Sequence, residues 1–155
     1  MPSGIESTAP RLQRFAEVGA LAADLRLVIG RLARRLRQRG ETGVSASLLS
    51  AMWTIERLQP VTPGDVAAAE GVQPPTVTRI VARLEDLGLI AREGHPRDRR
   101  SSHVRLTAAG QRLLDRTRKL RTAYLARQLR ELDEDDRAVL RRAAEILRGF
   151  LEDEP

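Results

Sequence analysis

The feature that most constrains this chain is a window from Thr62 to Thr107, in which two short helical patterns precede a basic segment between two strand patterns. The first helical pattern ends at Gly71, and the second begins immediately afterwards, at Gln73-Pro74-Pro75. The window therefore predicts two helices joined by a tight turn and followed by a β hairpin.

The ends of the first helix carry residues with defined capping chemistry. Thr62 can accept a hydrogen bond as the N-cap, and Asp65 stands at the capping-box position. Pro63 occupies the first helical position, where its missing N–H costs nothing. Gly71 tolerates the left-handed conformation that ends a helix. These residues predict a short helix between Pro63 and Gly71.

The second helix has an apolar stripe and a polar face. The stripe has helical spacing and predicts burial of Val77, Ile80, Val81, Leu84 and Leu87. The polar face is basic toward its N-terminal half and carries Thr76, Thr78, Arg79 and Arg83, with Gln73 just before it. Acids occur only in the last turn, at Glu85 and Asp86. An ordinary amphipathic surface helix fits the stripe equally well, but the charge gradient favours a helix that contacts base edges in a DNA major groove.

The hairpin is predicted from strand patterns at residues 89–92 and 103–106, with a loop at residues 94–100. Its loop carries three arginines and one acid, namely Arg97, Arg99, Arg100 and Asp98. Guanidinium groups this close repel each other unless a counter-charge is near, and a DNA phosphate or minor groove supplies one. A basic loop alone is usually just solvated. After a helix–turn–helix, it predicts a wing that contacts DNA.

Long amphipathic helices are predicted on both sides of the window. Residues 1–10 are predicted to be a disordered tail, residues 11–45 and 108–155 to form dimerisation helices, and residues 46–107 to form the DNA-binding lobe. The terminal helices carry more apolar residues than one face can bury in a small domain. Packing against a second copy would bury the surplus; the alternative is that these helices fold back on the central lobe.

Composition sets limits on function. The 155 residues carry 27 Lys+Arg and 21 Asp+Glu, a net charge of +6 that favours a polyanionic partner. Lys119 is the only lysine, and arginine suits bidentate contacts to phosphate and guanine, although a GC-rich genome would give the same bias. The absence of cysteine excludes disulfides, thiol catalysis and cysteine–zinc sites. No signal peptide or membrane-spanning run is present, which predicts a cytoplasmic protein.

An enzyme is not predicted, and neither is a cofactor or a metal site. The only histidines, His95 and His103, both lie at the hairpin. The sequence has no Gly-rich phosphate loop followed by Lys-Ser/Thr and no His-Glu-x-x-His zinc helix.

The segment from Pro75 to Arg92 resembles the recognition helix of the MarR family of bacterial winged helix-turn-helix transcription regulators. Residues 95–100 and 104–110 resemble that family's wing and the start of its next helix, in the family's order and near its spacing. The resemblance covers about residues 25–151. It implies a mainly α fold with a small β wing and with N- and C-terminal dimerisation helices.

The resemblance also implies a function for individual residues. Recognition-helix contacts would fall on Pro75, Thr76, Thr78 and Arg79. An Asp-x-Arg pair that holds the wing falls on Asp98 and Arg100, with the arginine reaching the minor groove. The expected protein is a homodimeric repressor of a pseudo-palindromic operator.

Many family members release DNA when a small aromatic effector binds between the lobes. Trp53 and Glu56 are the candidates for such a pocket here, because the chain has few aromatic residues. A single Trp at helical spacing is more often part of the core. The alternatives left open are a constitutive regulator without an effector and a winged helix used for contact with protein or RNA.

Overall fold

The structure, a computed structural model, describes residues 9–40, 43–95 and 98–152, with the backbone alone described at residues 9–12, 95, 98–101 and 152. In the described part the elements follow the order α1 (Ala9–Arg39), α2 (Ala46–Leu58), α3 (Pro63–Glu70), α4 (Pro74–Asp86), β1 (Ile90–His95), β2 (Asp98–Leu106), α5 (Ala108–Arg130) and α6 (Glu134–Glu152). The predicted mainly α fold with a two-stranded wing is confirmed.

The chain divides into two compact units, Met1–Gln38 and Arg39–Pro155. The first unit consists of α1, which begins at Ala9; residues 9 and 10, predicted to belong to the tail, are therefore helical. The rest of the predicted tail, residues 1–8, lies outside the described residues. Large apolar side chains of α1 are exposed, among them Phe15, Val18, Leu21, Val28 and Leu32.

The second unit has one hydrophobic core, to which every element from α2 to α5 contributes. α2 and α3 bury Met52, Ile55 and Val66, and α4 buries Val77, Val81 and Leu84. The two strands add Ile90 and Val104, and α5 adds Leu114. Because the core joins all of these elements, it fixes how the wing and α4 are arranged.

Capping of α3 follows the prediction closely. The Thr62 side chain accepts a hydrogen bond from the backbone N–H of Asp65 at 3.2 Å, and the Asp65 carboxylate accepts from the N–H of Thr62 at 3.4 Å. Gly71 ends the helix in the left-handed conformation, with φ of +62°. The tight turn between α3 and α4 therefore rests on local chemistry that the sequence specifies.

The apolar stripe of α4 is shorter than predicted. Val77, Val81 and Leu84 are buried and Ile80 is partly buried, but Leu87 is exposed. The prediction for Leu87 was wrong because the helix has ended there: Leu87 is the C-cap, and its backbone N–H still bonds to the Arg83 carbonyl. The chain then turns, and the apolar residues that continue into the core belong to β1.

The strands of the wing are longer than the sequence pattern predicted. The pairing of β1 and β2 is antiparallel from Ile90↔Leu106 to Gly94↔Ser102 and resumes at His95↔Asp98 after a register shift. Residues 99–101 of β2 therefore have no partner on β1. The prediction of a loop over residues 94–100 was too wide, because Gly94, His95 and Asp98 take part in backbone pairing although these residue types have low strand propensity.

The start of α5 lies directly against the base of the wing. The Thr107 side chain caps α5 by accepting from the Gly110 N–H at 3.1 Å, and its hydroxyl donates to the Gly88 carbonyl at 2.7 Å. A Cβ on Gly110 would stand 2.1 Å from the carbonyl oxygen of Leu89. This close approach needs a residue without a side chain.

The last helix, α6, begins as the acidic cluster predicted. Asp133 accepts a hydrogen bond from the Asp136 N–H at 2.8 Å, and Glu134, Asp135 and Asp136 occupy the first turn. Several large apolar side chains of α6 are exposed, namely Val139, Leu140, Ile146, Phe150 and Leu151. None of the helices in the described ranges is long and apolar enough to cross a lipid bilayer.

Candidate nucleic-acid interface

The polar face of α4 is exposed, opposite the side that the core buries. The exposed residues are Gln73, Pro75, Thr78, Arg79 and Arg83, and Thr76 is partly buried. The core fixes the buried side through Val77, Val81 and Leu84, so the helix cannot rotate this face inward. The face therefore projects polar and cationic groups outward from a rigid element.

Thr78 has one of its hydrogen-bonding functions already occupied. Its hydroxyl donates to the Pro74 carbonyl at 3.0 Å, one helical turn earlier. The oxygen can still accept from a base amino group, and the methyl group can contact a thymine methyl. The hydrogen bond also fixes the side-chain rotamer, which limits the entropy lost on contact with a base.

The guanidinium groups of α4 are not neutralised by the carboxylates described around them. Among the side chains that the structure describes, Arg79 and Arg83 form no ion pair. Glu85, the acid nearest to them along the helix, is instead paired with Arg92 at 2.9 Å. The positive charge of Arg79 and Arg83 on the exposed face of α4 is therefore available for a polyanion.

Arg92 connects α4 to both strands of the wing. From β1 its Nε donates to the Glu85 carboxylate, and its Nη1 donates to the Ser102 hydroxyl of β2 at 3.1 Å. A second ion pair crosses the hairpin between Arg105 and Glu93 at 2.7 Å. The Arg92–Glu85 pair thus ties the wing to α4, and the Arg105–Glu93 pair ties the two strands of the wing to each other.

The wing-tip candidates lie at the limit of what the structure describes. Arg97 falls outside the described residues, and only the backbone of Asp98, Arg99 and Arg100 is described, within β2. The backbone places Asp98 opposite His95 and leaves Arg99 and Arg100 in the unpaired stretch of β2. The predicted pairing of Asp98 with Arg100 is not tested by these positions.

The two candidates for an effector pocket lie next to each other on α2, facing α5. The Arg118 guanidinium lies over the Trp53 ring, 4.8 Å from its centroid, and forms an ion pair with Glu56 at 2.9 Å. Trp53 is partly buried and packs against the core. Both residues are thus already in contact with a cation of the same chain.

Comparison with known proteins identifies the family of this chain. The sequence model of the MarR family matches residues 44–102. An uncharacterised HTH-type transcriptional regulator of Mycobacterium leprae is 40% identical over 136 residues, which cover 87% of this chain and 95% of that protein. The chain belongs to the MarR family.

Solved structures agree with this assignment. A putative transcriptional regulator from Pseudomonas aeruginosa has 34% sequence identity and a TM-score of 0.77 over 87% of this chain and 96% of its own. FabT of Streptococcus pneumoniae, solved in complex with DNA, has 27% identity and a TM-score of 0.59 over 92% of this chain and 98% of its own. The chain is thus a DNA-binding transcription regulator of the MarR type rather than an enzyme, as the sequence predicted.

Sequence reasoning missed several side chains that position the elements of this MarR lobe. At the end of α3, the Glu70 carboxylate accepts hydrogen bonds from the hydroxyls of Ser50, at 2.6 Å, and Thr54. The roles of Arg92 and Arg118 were missed as well. Arg92 gave little signal, because its partner Glu85 lies seven residues away, across the end of α4. Arg118 gave no signal, because its partner Glu56 lies 62 residues away in sequence.

Proposed function

We propose that this MarR-family regulator is a homodimer that binds double-stranded DNA sequence-specifically and represses transcription. The observation that carries the proposal is the exposed face of α4, where cationic and short polar groups stand on a helix that the core holds rigidly. Helices of this kind enter the major groove, where each base pair presents a distinct pattern of donors and acceptors. FabT, which is bound to DNA in its own structure, adds support from a relative of the same fold.

The proposal gives separate roles to α4 and to the wing. Gln73, Pro75, Thr76, Thr78, Arg79 and Arg83 would contact base edges and flanking phosphates. Arg97, Arg99 and Arg100 would enter or border the minor groove, with Asp98 orienting Arg100. This division follows a general rule: contacts to base edges specify the sequence, whereas contacts to phosphates set position and affinity.

Replacement of Arg79 tests the role of α4 in base recognition. In the Arg79→Ala variant, affinity for the operator is expected to fall by about 1–3 kcal/mol, with a relaxed preference at one base pair of each half-site, because a bidentate contact is lost. The measurement is binding to the operator and to its single-base variants by fluorescence anisotropy.

Arg116→Ala is the matched control for charge. Arg116 is exposed on α5 and makes no ion pair among the described side chains, so its removal lowers the net charge equally without touching α4. If the two variants lose the same small amount of affinity and keep the same base preference, Arg79 does not contact bases and the assignment is wrong.

The proposed homodimer rests on apolar surface that a single chain leaves uncovered. On α6, Phe150 is 63% and Leu151 is 76% exposed, and on α1, Phe15 is 72% exposed. Large apolar side chains left this exposed on a helix are typical of an interface in soluble proteins. A twofold pair would also present two recognition helices to a pseudo-palindrome, with half-sites about one helical turn apart.

The dimer is expected to show twice the mass of one chain by light scattering at micromolar concentration.

Phe150→Glu is expected to weaken the dimer by at least tenfold in dissociation constant, because a charge would be buried at the interface. Phe150 is mostly exposed in one protomer, so the substitution leaves the core of that protomer intact. Arg141→Gln, also on α6, makes the same change in net charge at an exposed polar position. A wild-type chain that stays monomeric, or equal effects of the two substitutions, would exclude this interface.

The repressor is further proposed to act in the cytoplasm, where chromosomal DNA is found, and to be released by a small aromatic effector at Trp53 and Glu56. An aromatic anion could replace Glu56 as the partner of Arg118 and so separate α2 from α5. The same contacts favour the alternative of a constitutive regulator, because the cation already has its partner. A screen for compounds that release bound DNA distinguishes the two.

The remaining alternative is a winged helix that contacts protein or RNA. It is disfavoured because α4 keeps a polar, cationic exposed face rather than an apolar one. Competition among duplex DNA, single-stranded DNA and duplex RNA separates these functions, since A-form RNA has a major groove too deep and narrow for a helix. The proposal requires duplex DNA to compete best.

A further inference from the structure

We infer that Arg118 is a positioning residue for operator binding, which fixes the angle between the DNA-binding lobe and α5. The inference rests on the proposed dimer: α5 leads directly into α6, which carries part of the proposed dimer surface, so in a dimer that angle determines how far apart the two α4 helices lie. Arg118 makes no contact with the exposed face of α4. It acts through α2, on which Trp53 and Glu56 lie.

The side chains around Arg118 form a closed ring of hydrogen bonds between α2 and α5. Arg118 donates from Nη2 to Glu56 at 2.9 Å and from Nη1 to Asp115 at 2.8 Å. Gln111 closes the ring by donating to Glu56 at 2.6 Å and to Asp115 at 3.4 Å. The guanidinium also stacks over Trp53. Arginine alone can satisfy all of these contacts at once, because its fork is planar and always charged.

The ring constrains α5 beyond its base, where the Thr107 hydroxyl already bonds to the Gly88 carbonyl. Leu114 and Thr117 of α5 are buried against the rest of the lobe, and this burial resists detachment of the helix. Apolar contacts are non-directional, so they permit small rotations and sliding. Hydrogen bonds require defined distances and angles. The base of α5 is held at the wing by the hydrogen bonds of Thr107, and the ring fixes the direction that the helix takes from there.

α2 transmits this orientation to the recognition helix. On another side of α2, Ser50 and Thr54 donate to Glu70 at the end of α3, and Met52 and Ile55 lie in the core shared with α4. α2 thus has a polar connection to α5 and a second one to the helix–turn–helix. A change at Arg118 moves the lobe as one body and leaves the α4 face itself intact.

The test compares Arg118→Gln with Arg116→Gln, which removes the same charge from the same helix. Each is measured on the operator obtained by selection and on the same operator with one base pair inserted between the half-sites. We expect Arg118→Gln to lower operator affinity about tenfold and to reduce discrimination against the inserted base pair several-fold. Arg116→Gln stays near wild type in both. Arg118→Lys, which keeps the charge but not the planar fork, falls between them.

A further readout distinguishes positioning from a phosphate contact. The slope of log affinity against log salt stays at the wild-type value in Arg118→Gln, because no phosphate contact is lost. If Arg118→Gln does not fold, Glu56→Gln removes the same ion pair from the other side and is expected to reduce discrimination in the same direction. Unchanged discrimination in the folded variants, or only a lowered melting temperature, overturns the inference. If instead the wild-type protein does not dimerise or does not bind duplex DNA, the proposed function itself is wrong.

Discussion

Affinity for the operator is expected to fall roughly a thousandfold as salt is raised from about 50 to 200 mM, if about six phosphates are neutralised per dimer. We propose that each protomer supplies the cations for this from two places, Arg79 and Arg83 on α4 and the arginines of the wing. Those of α4 have no carboxylate partner among the described side chains. A DNA phosphate would therefore form an ion pair with them without displacing a carboxylate. The measurement is a salt titration of binding by anisotropy.

The contribution of the wing is resolved by repeating the titration with Arg100→Ala. We expect a loss of about 1–3 kcal/mol at fixed salt, larger on operators with A·T-rich flanks, where a narrow minor groove attracts arginine. Arg116→Ala again controls for net charge. A salt response that is flat for the wild type, or identical losses for the Arg100 and Arg116 variants, cannot be reconciled with a wing that contacts DNA.

Gly110→Ala is expected to destabilise the fold by about 3 kcal/mol. The new methyl group would stand 2.1 Å from the Leu89 carbonyl oxygen and 3.3 Å from the Leu106 side chain. The Leu89 carbonyl cannot move away easily, because it accepts a hydrogen bond from the Thr107 N–H at 3.0 Å. α5 would have to move away from the base of the wing. The melting temperature should fall by roughly 6–12 °C at equal protein concentration.

Gly64→Ala is the control for this substitution. The added Cβ on α3 would meet only the Thr62 hydroxyl oxygen, at an ordinary contact distance of 3.7 Å. Alanine is the better helix former by up to about 1 kcal/mol, so this variant should be as stable as the wild type or slightly more stable. Equal melting temperatures for the two variants would mean that α5 does not approach the wing as the structure has it.

Local chemistry explains why much of the fold could be predicted from the sequence. The capping box at Thr62 and Asp65, the left-handed glycine at Gly71 and the N-cap at Thr107 each involve residues within a few positions of one another. Helical spacing likewise predicted the buried side of α4. In each case the determining contacts lie within one or two turns, which a sequence pattern can reveal.

Contacts between distant segments could not be predicted in this way. The hydrogen bonds of Glu56 join residues 55 and 62 positions apart, and the need for glycine at position 110 arises only where α5 meets Leu89. The longer strands of the wing and the exposure of Leu87 also depend on where the chain turns in space. A periodic pattern predicts a side of a helix but does not say where the helix ends.

Selection of bound sequences from random duplexes tests the central proposal most directly. We expect enrichment of one pseudo-palindrome whose two half-sites are about one helical turn apart, since two identical α4 helices related by a twofold axis would contact the same base sequence in each half-site. Arg79→Ala should weaken the base preference at one position in each half-site of that motif. Failure of the wild-type protein to enrich any duplex sequence at low salt would contradict the proposal.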